Sequence, residues 1–218
     1  GQSLGASRRT AFTRWAASTD ALVIEDDYDG EFRYDRHPVG ALQSLDPAHV
    51  AYLGTASKTL APGVRLGWLV TPSRLTDDVV AAKAVADGHS STFDQLALGE
   101  LIATGQYDRH VRHSRQRYRR RRDQLRQILG QQVPAARITG IAAGLHALVT
   151  LPDGLDEASV IERAARHGLA LQGLRTYRAD DTYHPPALVV GYATPPDHAY
   201  TGALARLATI LSPGHLTS

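Results

Sequence analysis

The sequence predicts an α/β chain that passes into a smaller α+β layer towards its carboxyl end, and three observations predict it. Ala21-Leu-Val-Ile24 is an uninterrupted apolar run with acidic residues arriving only at its carboxyl end, the pattern of a parallel strand buried on both faces. Two further apolar runs, Val50 to Gly54 and Leu66 to Val70, are followed by segments whose apolar residues recur at helical spacing. From Ile138 onwards the pattern changes to short apolar runs separated by helical stretches.

Taken in order, Arg8 to Ala17 reads as a helix leading into the first strand at Ala21 to Ile24. Val50 to Gly54 and Leu66 to Val70 are the next strands, with Pro62-Gly63 as a turn between them. Helical spacing follows over Pro72 to Asp87, where Pro72-Ser73 marks the start, and over Thr92 to Thr104. Gly105 to Leu129 is a long arginine-laden helix whose apolar residues Val111, Tyr118, Leu125, Ile128 and Leu129 recur at roughly heptad spacing. Beyond it come a strand at Leu145 to Leu151, a helix at Glu157 to His167, strands at Leu169 to Leu171 and Leu188 to Val190, and a last helix at His198 to Leu211.

Composition sets the outer bounds. With 218 residues, 43% of them hydrophobic and 21% charged, the chain can form one full domain or two small ones. It holds no apolar segment of membrane-spanning length, so no membrane partner is expected, and cytoplasm is the expected location. The absence of cysteine excludes disulfides and thiolate metal sites. A net charge of +2 does not by itself point to nucleic acid.

The chemistry concentrates around Lys58, one of two lysines among 24 basic residues. Lysine can lose its proton in a desolvated pocket and attack a carbonyl, which arginine cannot do. Lys58 lies in the loop leaving the carboxyl end of the Val50 to Gly54 strand, where open α/β sheets hold their ligands. Thr55 and Ser57 add hydroxyls, and Arg65 offers a planar fork that matches phosphate oxygens. At the end of the first strand, Asp26 and Tyr28 are two residues apart and point to one side in extended chain, with Asp27 on the other. A lysine, two hydroxyls and an arginine could hold a phosphorylated aldehyde, and one carboxylate and one phenol can face one ligand.

The segments Ile24-Glu-Asp-Asp-Tyr-Asp-Gly-Glu-Phe-Arg-Tyr34, Ala41-Leu-Gln-Ser-Leu-Asp46 and Gly54-Thr-Ala-Ser-Lys-Thr-Leu-Ala-Pro-Gly-Val-Arg65 resemble the aminotransferase-like domain of MocR-type transcription regulators. In that branch of the GntR superfamily a winged helix-turn-helix is fused to a fold-type-I module that binds pyridoxal 5'-phosphate (PLP). The resemblance continues through Gln95 to Gly105, Tyr118 to Leu125 and Gly144-Leu-His146 to Val189-Val-Gly-Tyr192. It implies that Lys58 forms a Schiff base with PLP, that Asp26 pairs with the pyridine nitrogen, that Tyr28 bonds the ring's 3′ oxygen, and that Arg65 with Thr55 holds the phosphate. Ser57 is a further cofactor-loop residue, or only shapes the loop. Asp27 and Asp29 read as solvated turn residues.

The resemblance also implies an organisation. Residues 1–104 correspond to the second half of the PLP-binding large domain, 105–130 to a long interdomain helix, and 131–218 to the small carboxyl-terminal domain. The chain is expected to be a carboxyl-terminal fragment, with DNA contacted only through an upstream domain, a homodimer as the assembly, and an amino acid, amine or vitamin B6 compound as effector. PLP binding is expected to be weakened or lost, because the glycine- or serine-rich phosphate turn and the aromatic that stacks on the ring belong to the preceding half.

Several alternatives stay open. A calcium loop would use Glu25, Asp27, Asp29 and Gly30 but fails at its twelfth position, Arg36. The basic tract Arg109 to Arg126 reads as a solvated or interdomain face, with DNA and subunit contacts as rivals. A substrate carboxylate would fall to Arg175 or Arg178, and His146 reads as a packed strand residue. A regulatory domain and a genuine aminotransferase need the same site residues, so the site does not separate them. The Glu-Asp-Asp-Tyr-Asp-x-Glu-Phe and Ala-Leu-Gln-Ser-Leu-Asp pairing favours the regulator.

Overall fold

A computed structural model describes residues 4–34, 40–140, 142–179 and 182–212. Two units emerge from it, residues 3–115 and 116–218, and the boundary falls inside one long helix.

In the first unit, helix α1 (Ala6–Thr19) ends on Asp20, whose left-handed φ of 50° turns the chain so that the Ala21 amide donates to the Ala16 carbonyl. Strand β1 (Val23–Asp27) follows at once and pairs in parallel with β2 (Val50–Thr55). Strand β3 (Gly67–Val70) runs antiparallel on the far side of β2, giving the order β1-β2-β3. Ala16, Leu42, Val23 and Val50 form a buried cluster on one face of the β1–β2 pair.

The other face differs from the expectation. Ile24 is 62% exposed and Leu22 is exposed as well, so the first strand is covered on one face and bare on the other within this chain. Its apolar run meets the requirement of a doubly covered strand, yet α1 supplies cover on the Val23 side only. A 3-10 turn at Ser73–Leu75 leads into α2 (Thr76–Asp87), and α3 (Thr92–Ala103) is capped by the Ser91 hydroxyl, which accepts from the Asp94 amide. Neither helix buries a residue, and Val85, Phe93 and Leu96 stand in solvent.

Helix α4 (Gln106–Gln132) carries the predicted stripe: Val111, Tyr118, Leu125 and Leu129 are all buried. In the second unit it is followed by β4 (Arg137–Thr139), β5 (His146–Thr150), α5 (Glu157–Arg166), β6 (Gln172–Gly173), β7 (Ala187–Gly191) and α6 (Asp197–Leu211). The sheet order is β4-β5-β7-β6 with every pair antiparallel. The core joins Val149, Val160, Leu188, Leu207 and Ile210 from sheet and helices.

Two expectations shift here. The strand read at Leu169 to Leu171 forms instead at Gln172–Gly173, because Leu169 is spent closing α5. Its amide donates to the Ala164 carbonyl while Gly168, at φ 69°, donates to Ala165, a Schellman closure. His146 lies at the start of β5 with its side chain exposed rather than packed.

The basic tract is likewise not uniformly solvated. Arg121 is 4% exposed and its guanidinium donates to the carbonyls of Tyr192, Ala193 and Pro195 at 3.1, 3.0 and 2.5 Å and to the Asp197 carboxylate at 2.6 Å. The same group lies 4.7 Å from the centre of the Tyr200 ring, whose hydroxyl donates back to the Arg121 carbonyl. Arg121 therefore fastens α4 to the corner between β7 and α6.

Candidate functional site

The register of the first sheet sets the geometry. Because β1 and β2 are parallel with Asp26 beside Leu53 and Asp27 beside Gly54, their carboxyl ends are level. The acidic end of β1 and the lysine-bearing loop after β2 therefore leave the sheet at the same edge, as open α/β sites require.

Side chains alternate along β1. Ile24, Asp26 and Tyr28 lie exposed, whereas Glu25 and Asp27 are half-buried on the opposite face. Asp27 is not a solvated turn residue: its carboxylate accepts the Tyr52 hydroxyl at 2.9 Å, and a Cβ on Gly30 would lie only 2.3 Å from its oxygen. Burial first, then the Asp27 bond, holds the Tyr52 phenol well above its ordinary range, so it stays a donor. Glu25 accepts the amides of Leu42 and Gln43 at 2.7 and 3.0 Å, which ties the strand to the 3-10 turn Gln43–Leu45. Those bonds join the Glu-Asp-Asp and Ala-Leu-Gln-Ser segments in space.

Tyr28 presents its phenol on the open face beside Asp26. The neighbouring Asp29 charge, then partial burial and the Asp26 charge, raise its pKa, so the phenol keeps its proton and remains a hydrogen-bond donor.

The loop after β2 is held at its base. The Ala56 amide donates to Leu66 at 3.0 Å, and the Thr55 hydroxyl donates to the same carbonyl at 3.1 Å while accepting from the Ser57 amide at 3.1 Å. The hydroxyl proton of Thr55 is thus engaged within the loop, and bonding a phosphate would mean exchanging its Leu66 partner. Residues 56–60 form one helical turn, closed by the Leu60 amide on the Ala56 carbonyl at 2.9 Å, and Lys58 projects from it into solvent.

Arg65 follows the 3-10 turn Pro62–Val64 with φ 51° and ψ 28°, a left-handed backbone that costs a non-glycine residue about 1 kcal/mol. Its side chain is exposed. Trp68 fills the space over Gly54, where a Cβ would meet the indole at 2.2 Å, and this contact seats β3 against the strand that carries the loop.

An amine, a permanent cation, a carboxylate, a protonated phenol and loop hydroxyls therefore share one sheet edge, with the side chains of Lys58, Arg65, Asp26 and Tyr28 all exposed. The donor set fits a phosphorylated pyridine aldehyde: amine for the carbonyl, guanidinium for the phosphate, phenol and carboxylate for the ring heteroatoms.

In the other unit, Arg175 lies in the 3-10 turn Leu174–Tyr177 and Arg178 immediately follows it. Glu157 holds this region by accepting the amides of Arg175 and Ala187, each at 3.0 Å. The sequence offered no signal for that clamp, nor for the Thr59, Tyr107 and His110 cluster behind the Lys58 turn. Arg36 lies outside the described residues. Among the described residues no helix is long and apolar enough to cross a membrane.

Known proteins resemble this chain in sequence and in fold. The family model for aminotransferase class I and II matches residues 11–178. An HTH-type transcriptional regulator of Bacillus subtilis, YhdI, is 35% identical over 212 residues, covering 95% of this chain and 44% of its own length. The HTH-type pyridoxine biosynthesis regulator PdxR of Corynebacterium glutamicum is 31% identical over 214 residues, covering 98% and 46%. The chain thus spans less than half the length of these relatives. Among solved structures, kynurenine aminotransferase of Pyrococcus horikoshii superposes with a TM-score of 0.85 at 29% identity, over 99% of this chain and 54% of that one. The fold is that of the fold-type-I PLP aminotransferases.

Proposed function

Since this chain belongs to the aminotransferase class I and II family, we propose that it is the PLP-binding, effector-sensing and dimerising part of a DNA-binding transcription regulator. The observation that carries this reading is the placement of Lys58 on a pinned turn at the sheet edge where Asp26 and Tyr28 face the same side. The HTH-type regulators among its relatives favour a regulatory role over turnover. In this reading DNA is contacted through a separate domain, the assembly is a homodimer, and the setting is the cytoplasm.

PLP, when bound, supplies a reactive aldehyde and an electron-withdrawing ring. The residues of this chain would do the rest. Lys58 holds the aldehyde carbon through its amine, and Arg65 neutralises the phosphate without ever losing its own proton. Tyr28 donates to the ring oxygen, a role its raised pKa preserves. Asp26 opposes the ring nitrogen and favours its protonated form. Thr55 and Ser57 shape the loop and add hydroxyls. An amino acid, an amine or a vitamin B6 compound is the effector, and it switches output by binding one domain arrangement more tightly than another. Residues 1–104, 105–130 and 131–218 then serve as cofactor half-domain, connecting helix and small domain.

Genuine aminotransferase activity is the second reading, favoured by the likeness to kynurenine aminotransferase. It would require Arg175 or Arg178 to bind the substrate carboxylate.

The test uses the two lysines. The chain is mixed with PLP, reduced with borohydride and mapped by mass spectrometry, with Lys58→Ala as control. Labelling confined to Lys58 is expected. Equal labelling of Lys58 and Lys83, or none, means that this chain by itself is not a working PLP site. Amino acids and amines added before reduction then divide the two functions: displacement of the label without keto-acid formation supports sensing, and keto-acid formation supports the enzyme.

A further inference from the structure

We infer that His110, acting through Thr59, is a positioning residue that fixes the direction of the Lys58 side chain. The inference rests on the reading of Lys58 as the site's reactive amine, but its geometry stands apart from any cofactor.

Lys58 and Thr59 are neighbours on one helical turn with opposite fates. Lys58 is exposed, whereas Thr59 is 2% exposed. Rotation of the turn about its own axis would move both together, so whatever holds Thr59 inward also aims Lys58 outward. Thr59 is held by three bonds. Its hydroxyl donates to the Ala56 carbonyl at 3.2 Å, its oxygen lies 3.0 Å from the Tyr107 hydroxyl, and its carbonyl lies 2.7 Å from His110 Nε2. A hydroxyl has one proton, and Thr59 gives its own to Ala56, so Tyr107 is the donor in their contact. Burial raises the Tyr107 pKa and keeps that proton in place.

Tyr107 and His110 lie three residues apart on α4, on one face of the helix, and grip the turn from a segment about fifty residues away in sequence. A carbonyl can only accept, so His110 Nε2 must carry a proton. Both the neutral Nε2 tautomer and the imidazolium satisfy this, and the brace therefore holds in either charge state. The buried Ser114 hydroxyl, 3.4 Å from the same nitrogen one turn further along α4, flanks the ring. The base of the loop is fixed separately through Thr55, Ala56 and Leu66, so the His110 brace governs the tip that bears Lys58.

The experiment compares wild type with His110→Leu, which keeps bulk and loses the donor, and His110→Gln, whose amide nitrogen can replace Nε2. Trace acetylation with acetic anhydride is followed between about pH 7 and about pH 10, around the lysine range, and Lys83 serves as the internal standard. His110→Leu should change the Lys58 to Lys83 reactivity ratio by about threefold, the population shift that loss of one ordinary hydrogen bond permits. It should also leave Lys83 unaltered and be rescued by His110→Gln. Tyr107→Phe, which deletes a single oxygen, should shift the ratio in the same direction and serves if His110→Leu fails to fold.

An unchanged ratio in folded His110→Leu, or in Tyr107→Phe where the leucine variant does not fold, overturns the inference. So does an equal change at Lys83, or failure of His110→Gln to rescue. PLP labelling is run in parallel. A wild type that takes no label while the acetylation ratio still responds to His110 would show that this chain alone does not hold PLP and leave the brace standing, and labelling without any response of the ratio would do the opposite.

Discussion

Replacing Arg121 tests whether the basic tract is a surface or a fastener. Its guanidinium serves three backbone carbonyls, at Tyr192, Ala193 and Pro195, from a nearly inaccessible position. A hydrogen bond to a charged group contributes about 1.5–3 kcal/mol, so the three bonds give a gross sum of roughly 4.5–9 kcal/mol. Truncation to alanine opens space through which water can reach the carbonyls, and the net loss should fall to about 3–5 kcal/mol, the range for breaking a buried charged interaction. The sum leaves out Asp197, which lies on the solvent side. With a urea slope near the upper end of about 1–3 kcal/mol/M, the midpoint of the circular-dichroism transition should drop by about 1–2 M. Arg121→Met, which retains bulk without donors, should do at least as much harm, and Arg121→Lys should be intermediate because one ammonium cannot span the same acceptors. Alanine at the exposed neighbours Arg119 and Arg120 should leave the midpoint unmoved. An unfolding stability for Arg121→Met within about 0.5 kcal/mol of wild type would refute the fastener, since that is the ordinary scatter of surface substitutions.

Three further outcomes are expected. Gly54→Ala places a methyl group 2.2 Å from the Trp68 indole, an overpacking cost of about 1–3 kcal/mol that Trp68→Leu in the same chain should relieve; urea titration of the single and double variants reads it. Glu25→Ala removes the acceptor of the Leu42 and Gln43 amides, so hydrogen exchange at those two amides should accelerate at least tenfold, taking about 1.5 kcal/mol as the least a charged bond contributes, while Glu25→Gln protects them in part. Burial raises the Tyr200 pKa in the folded state, so the folded chain binds more protons than the unfolded one once pH exceeds about 10, and stability must fall as pH climbs from there. Tyr200→Phe should flatten that alkaline slope in thermal melts, and an unchanged slope would remove Tyr200 from the account.

Much of the fold was legible because its elements obey local rules. The strands at β2, β5 and β7 are short apolar runs, and α4 shows its buried stripe at Val111, Tyr118, Leu125 and Leu129 through spacing alone. What spacing could not show was which of the cations are buried. Four arginines in succession, Arg119 to Arg122, look equivalent in sequence, yet Arg121 and Arg122 are buried while Arg119 and Arg120 are exposed, and the backbone corner at Tyr192 to Pro195, some seventy residues away, takes Arg121. Position β6 was misplaced for a related reason: whether Leu169 starts a strand or ends a helix depends on Gly168 adopting positive φ, which the apolar run Leu169 to Leu171 does not reveal.

The candidate site divides along the same line. Lys58, Arg65, Asp26 and Tyr28 were readable because their chemistry is rare in context: one lysine of two, beside an arginine fork, opposite a carboxylate and phenol spaced by two. Their supports were not. Thr59, Tyr107, His110, Glu25 and Tyr52 are ordinary residue types whose importance lies in which backbone group or carboxylate they meet, across separations of 17 to 51 residues. An exposed reactive group announces itself by composition, whereas a support acts through geometry and can be exchanged for any residue that meets the same partner. It follows that conservative replacement should separate the two classes in the laboratory. Gln for His110 should preserve the direction of Lys58, but Arg for Lys58 keeps the charge and abolishes the amine chemistry altogether.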